Sequence, residues 1–211
     1  HTRLQGDWSS DVCSSDLLTV LPRLYYTWPT VKAYANDDAP LGVLGSILAE
    51  GKNSRLYKTL VYDTQVAQDI NAYQYGSKLA GVFQIIVTPK PGQSLATIDS
   101  LVRAELASVM EQGVNERELD RVRNSTQASY LAQLESVEHK ADLLNRYNYF
   151  AGTPDFVQQD FARYTAVSMT DVQRVAKEYL AKPAVILSVV PEGQPGMALQ
   201  ASTGRHGREG R

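Results

Sequence analysis

Two β-rich runs separated by five residues, VAQDINAYQY (66–75) and GVFQIIVTP (81–89), most restrict what this chain can become. The short Gly-containing link between them predicts a hairpin. In the second run Phe83, Ile85 and Val87 fall on one face, and Val82 and Ile86 make the other face largely apolar as well. That pattern belongs to an inner strand covered at least in part on both sides. A sheet built around such a strand must be closed by helices.

The flanking sequence supplies them. DDAPLGVLGSILAEG reads as a helix with Asp37 or Asp38 as its cap, Pro40 in the first turn and Leu41, Leu44, Ile47 and Leu48 on one stripe. Ser94 caps a further helix that closes at Gly113. Asn115 with Glu118 forms a capping box for a long helix running as far as Phe150, with Leu119, Val122, Leu131, Leu134, Ala141 and Leu144 facing inward. Thr153 with Pro154, and Thr170 with Gln173, are expected to open two more helices. LTVLPRLYYTWPTV, bracketed by Pro22 and Pro29, reads as an edge strand, and AVILSVVP as a short buried one. The expected fold is α+β: an antiparallel-rich mixed sheet with helices packed on one face.

The chain has 211 residues, 43% of them hydrophobic and 21% charged, with a net charge of −2. This suits one globular domain and gives no electrostatic argument for nucleic acid or an anionic membrane as a partner. No apolar run approaches the roughly 18–20 residues that span a bilayer. Cys13 is the single cysteine, which excludes an intrachain disulfide. Residues 1–16 have neither helical nor strand periodicity and are expected to be a non-native or disordered leader. Residues 194–211, rich in Gly and Arg, are expected to be a disordered tail. The domain proper is then 17–193.

The stretch AEGKNSRLY (49–57) contains a forced turn. Gly51 is suited to the left-handed residue that ends the first helix, and Ser54 to the cap of the next. Arg55 and Tyr57 follow at once. We read Ser54, Arg55 and Tyr57 as a structural joint, with Arg55 tied to carboxylates or carbonyls of neighbouring elements. Contact with a bound peptide is the alternative.

Catalytic chemistry is sparse. The histidines are His1, His139 and His206. His139 lies among Glu135, Glu138 and Asp142, but one imidazole among surface carboxylates makes a poor zinc site. No serine sits on a nucleophile elbow, and GKNS lacks the spacing of a phosphate-binding loop. Tyr25–Tyr26 and Tyr73 with Tyr75 read as strand packing residues, with stacking on a ligand as the alternative.

Taken in order, LGVLGSILAEGKNSRLYKTLVYDTQVAQDINAY, GVFQIIVTPKPG, EQGVNERELDRV, RYTAVSMTDVQRVAKEYL and LSVVPEG resemble the pitrilysin/insulinase family of zinc metallopeptidases, which includes mitochondrial processing peptidase. In that family, catalytic chambers are built from pairs of homologous α+β domains, one of which carries the zinc motif H-x-x-E-H. This chain has no such motif, so the resemblance is to the non-catalytic, second domain. Some non-catalytic domains hold substrate with an Arg and a Tyr seven residues apart. The matching positions here are Val61 and Gln68, which cannot do this.

The resemblance therefore implies a wall of a peptide-binding chamber for unfolded peptides, beside a separate zinc-bearing catalytic domain. Zinc is expected in that partner and no cofactor in this chain, which alone is expected to be inactive. The alternative is a structural or assembly subunit of processing-peptidase type.

Overall fold

The computed structural model describes residues 21–199 and, by backbone alone, residues 12–16. Its strands are β1 (Val12–Asp16), β2 (Arg23–Thr30), β3 (Ala67–Gly76), β4 (Gly81–Pro89) and β5 (Val185–Pro191). Helices α1 (Asp38–Ala49) and α2 (Arg55–Tyr57) precede the hairpin, and α2 continues as a π-helical stretch over Lys58–Asp63. After it come α3 (Leu95–Gln112), α4 (Glu116–Glu135), α5 (Val137–Ala151), α6 (Val157–Thr165) and α7 (Met169–Val175), the last continuing as a π-helical Ala176–Leu180.

The strands lie in the order β1-β5-β2-β4-β3, antiparallel except for the parallel β1–β5 pair. This is the α+β, antiparallel-rich sheet expected. Five residues of the leader set outside the fold, Val12–Asp16, run here as the outermost strand. Backbone pairing along an edge needs no alternation of side chains, which is why periodicity gave no sign of it.

Helices cover one face of the sheet. Leu24, Tyr26 and Trp28 of β2, Phe83, Ile85 and Val87 of β4, and Ile186 and Val190 of β5 are buried in one core with Leu41, Leu44, Ile47 and Leu48 of α1 and Ile98, Val102 and Val109 of α3. Burying a Leu- or Phe-sized side chain stabilises by about 1.5–3 kcal/mol, so this face holds most of the fold together. Tyr26 stacks on Trp28 and donates its hydroxyl hydrogen bond to Asp99 at 2.8 Å.

Three expectations change. First, β2 is no edge strand: it pairs with β4 on one side and β5 on the other. Its β5 pairing stops at Thr27, so Pro29 stands where that side is already unpaired. Second, the long helix divides at Ser136, the last cap of α4 and the first of α5. A serine hydroxyl competes for backbone amides and favours a cap over a helix interior; here it accepts from the His139 N–H. Leu119 and Val122 are buried, but Leu131 (60% exposed), Ala141 and Leu144 (47% exposed) face solvent, because α4 and α5 project as an arm. Third, α6 starts after Phe156: the Thr153 hydroxyl accepts from the Asp155 N–H and closes a turn short of the helix. In α7 the box is formed by Ser168 and Asp171.

The arm is anchored by one buried carboxylate. Asp160 of α6 accepts from the hydroxyls of Tyr130 (α4) and Tyr147 (α5) and pairs with Arg163. Burial first, and the Asp160 charge after it, push the Tyr130 and Tyr147 hydroxyls well above the ordinary phenol range. Both stay protonated and remain donors.

Candidate functional site

The joint between α1 and α2 is built by backbone geometry. Gly51 has φ +78°, which strains any residue with a β-carbon. The chain can then reverse, and the Ser54 hydroxyl donates to the Gly51 carbonyl at 2.7 Å. Ser54 stands at the N-cap position of α2 and is buried, yet its side chain accepts no capping bond. Asp37 likewise stands at the start of α1 without capping it; its carboxylate binds Arg174 and Tyr179 instead.

Arg55 reaches from α2 to the turn between α3 and α4. Its Nε and one terminal nitrogen donate to the two oxygens of Glu118 at 2.6 and 2.8 Å, and that terminal nitrogen also donates to the Gly113 carbonyl at 3.0 Å. Glu118 accepts the Asn115 N–H as well, so one carboxylate closes both the capping box and the joint. Burial alone would raise the Glu118 carboxyl, but the Arg55 guanidinium and the Asn115 amide outweigh it and hold it below its ordinary value. Tyr57 is half-buried against the core and Leu56 fully buried. Val61 is half-buried against the same core, and Gln68 is exposed on β3.

Among the described residues no helix packs on the sheet's second face. Tyr25 and Thr27 of β2, Val82, Gln84 and Ile86 of β4, and Leu187 and Val189 of β5 are only half-buried there. Asn71, Tyr73 and Tyr75 of β3 continue the face and are exposed. Across its middle runs a polar row in strand register: the Tyr73 hydroxyl donates to Gln84, and the Gln84 amide donates to the Thr27 hydroxyl at 2.9 Å. The surface therefore alternates aliphatic, aromatic and amide groups at strand spacing, which suits an extended chain carrying both apolar side chains and peptide groups. The two tyrosine pairs divide accordingly. Tyr26 is a core residue, whereas Tyr25, Tyr73 and Tyr75 stand on the open face. Alternation in β2, with Leu24, Tyr26 and Trp28 inward and Tyr25 and Thr27 outward, was the signal that could have found this face, whereas β4, apolar on both sides, pointed to cover that is only partial here.

Metal ligation is a separate matter. Among the described residues no three His, Cys, Asp or Glu side chains are grouped to hold a metal ion. His139 is exposed on the arm, with Glu135 and Glu138 also exposed; His1 and His206 lie outside the described residues. The residues described do not fit a zinc site.

The model of the peptidase M16 inactive domain matches residues 8–126, more than half of the chain. The chain belongs to that family. As an M16 inactive domain it is a non-catalytic member of the pitrilysin-type zinc proteases, which accounts for a full α+β fold without the zinc motif. It is 26% identical over 146 residues to the zinc protease PqqE of Helicobacter pylori, a match covering 68% of this chain and 32% of that protein. A solved protease structure from Helicobacter pylori superposes with a TM-score of 0.79 at 20% identity, over 86% of this chain and 44% of the other. The inactive peptidase domain of a Bordetella parapertussis protein described as a zinc protease gives 0.72 at 21% identity, over 82% and 94%. The M16 inactive domain thus spans about a third of the length of the curated relatives it matches.

Proposed function

We propose that this M16 inactive domain forms one wall of a peptide-binding chamber, beside a separate zinc-bearing domain that performs hydrolysis. The observation that carries the reading is the helix-free sheet face with its Tyr73–Gln84–Thr27 row. A sheet face left half-open, and lined by alternating apolar and hydrogen-bonding groups, serves an unfolded peptide better than it serves a folded core. Hydrolysis itself needs a metal-activated water and a general base, which the partner would supply. This chain would enclose and orient the peptide, and the Arg55 joint would hold α1 and α2 rigidly behind the sheet.

Peptidase assays test this. The chain alone is expected to cleave no unfolded peptide, with or without added zinc. Mixed with the zinc-bearing domain of the same parent protein, it is expected to bind and to raise chelator-sensitive cleavage. Gln84→Arg should then raise KM for a long unfolded peptide while leaving the circular dichroism spectrum unchanged. Chelator-sensitive cleavage by the chain alone would overturn the proposal. Lack of binding to the zinc-bearing domain would favour a structural or assembly subunit instead.

A further inference from the structure

On the opposite side of the molecule from the open sheet face, the arm stands away from the body and leaves a cleft of about 290 Å³. Its walls come from Tyr34, Asp38 at the start of α1 and Glu50 just past its end, the second half of α4, Arg146 of α5, and Arg163 and Tyr164 of α6. Thr126, Ser129, Tyr130 and Gln133 of α4 all line it at helical spacing, i, i+3, i+4 and i+7. The face that α4 turns toward the body is therefore polar, while Leu131 points to solvent. Thr126 and Tyr130 are half-buried there, and Ser129 and Gln133 stand exposed at its edge.

The hydrogen-bonding groups in the cleft divide into two sets. The carboxylates of its floor are engaged: Asp160 by Tyr130, Tyr147 and Arg163, and Asp38 by the Tyr34 N–H and Arg163. The donors are not. The half-buried Thr126 and Tyr164 hydroxyls make no side-chain hydrogen bond among the described residues, and Arg163 Nε is buried without a partner, while Ser129 and Gln133 are exposed. At the rim, Arg146 beside the Tyr34 phenol and Glu50 on the Ser125 hydroxyl are exposed charges of opposite sign. Tyr34 itself is held at φ +60°, a conformation that is strained for a bulky residue and recurs at ligand clamps.

We infer that this cleft binds a small zwitterion, a free amino acid or a dipeptide, with its carboxylate toward Arg146 and the idle donors and its ammonium toward Glu50. A multiply charged anion would meet Asp38, Glu50 and Asp160, and a dication would meet both guanidiniums; a ligand carrying one charge of each sign meets neither obstacle. The volume of about 290 Å³ falls just short of the roughly 300–1,000 Å³ of drug-sized ligand sites, which favours a ligand smaller than those. The site is independent of the chamber reading and needs no zinc-bearing partner.

Titration of the whole chain with alanylalanine, followed by NMR, tests it. Saturable shifts are expected at Tyr34, Gln133 and Tyr164, and N-acetylation or C-terminal amidation of the ligand should each weaken binding at least tenfold. Arg146→Gln and Glu50→Gln alter exposed residues, so their circular dichroism should match the parent while affinity falls at least tenfold. Free alanine separates the two sources: equal affinity assigns the site to amino acids, and weaker binding assigns it to dipeptides. No saturable shift at millimolar ligand overturns the inference. So do equal binding of the blocked dipeptides and unchanged affinity in both variants.

Discussion

Arg55 and Glu118 meet through two parallel hydrogen bonds of 2.6 and 2.8 Å, joining α2 to the first turn of α4 across 63 positions of sequence. Both side chains are mostly buried, so removing one leaves the other charge desolvated. Arg55→Ala should cost about 2–3 kcal/mol in urea unfolding. Arg55→Lys should recover only part of this, because an ammonium cannot form the fork. The Glu118 carboxyl is held below its ordinary 4.5. Its contribution is therefore complete above that value and disappears as pH falls through the lower, folded one. The stability gap between the parent and Glu118→Gln should be widest near neutrality and should close in acid. A gap independent of pH would separate Glu118 from this role.

Gly51 has open space where a β-carbon would stand, so its constraint is conformational. Gly51→Val should lower stability by about 1–2 kcal/mol, and Gly51→Asn by less, since asparagine tolerates the left-handed region. Equal losses in thermal unfolding would indicate a packing cause instead.

Tyr147 is fully buried, and its hydroxyl donates to Asp160 at 3.0 Å. Tyr147→Phe keeps the ring and removes that bond, at a cost of about 1–2 kcal/mol. Hydrogen exchange should locate the change: amides of α5 should lose protection while those of β4 keep theirs.

Gly81 opens β4 where the chain crosses its neighbour, and a β-carbon there would lie 2.2 Å from the Val31 carbonyl oxygen. Backbone cannot move aside as a side-chain tip can, so Gly81→Ala should destabilise by about 2 kcal/mol or more. A neutral result in thermal melting would contradict this close approach.

Elements set by neighbouring residues were readable in the sequence. The β3–β4 hairpin, the Asn115–Glu118 box, the Ser94 cap and the left-handed Gly51 each follow from a few adjacent side chains. Properties set at long range were not. Nothing local selected Glu118 from 23 acidic residues as the partner of Arg55. The flanking prolines misplaced β2 because a strand's neighbours are chosen by the sheet. Leu131 and Leu144 have the spacing of a core stripe, yet their helices leave the body before reaching anything to cover them. The cluster of Tyr34, Asp160 and Arg163 joins segments more than 120 residues apart and had no sequence signature.

A sheet walled on one side divides the labour of its own strands. In β2 and β4 every second residue answers to the interior, where the loss of one methylene is felt throughout the core. The residues between them answer only to whatever lies against the open side. Such a strand can exchange Tyr25, Thr27 or Gln84 with little effect on stability, while Tyr26, Trp28 and Ile85 stay fixed. The open side can therefore change its chemistry on a scaffold that does not change.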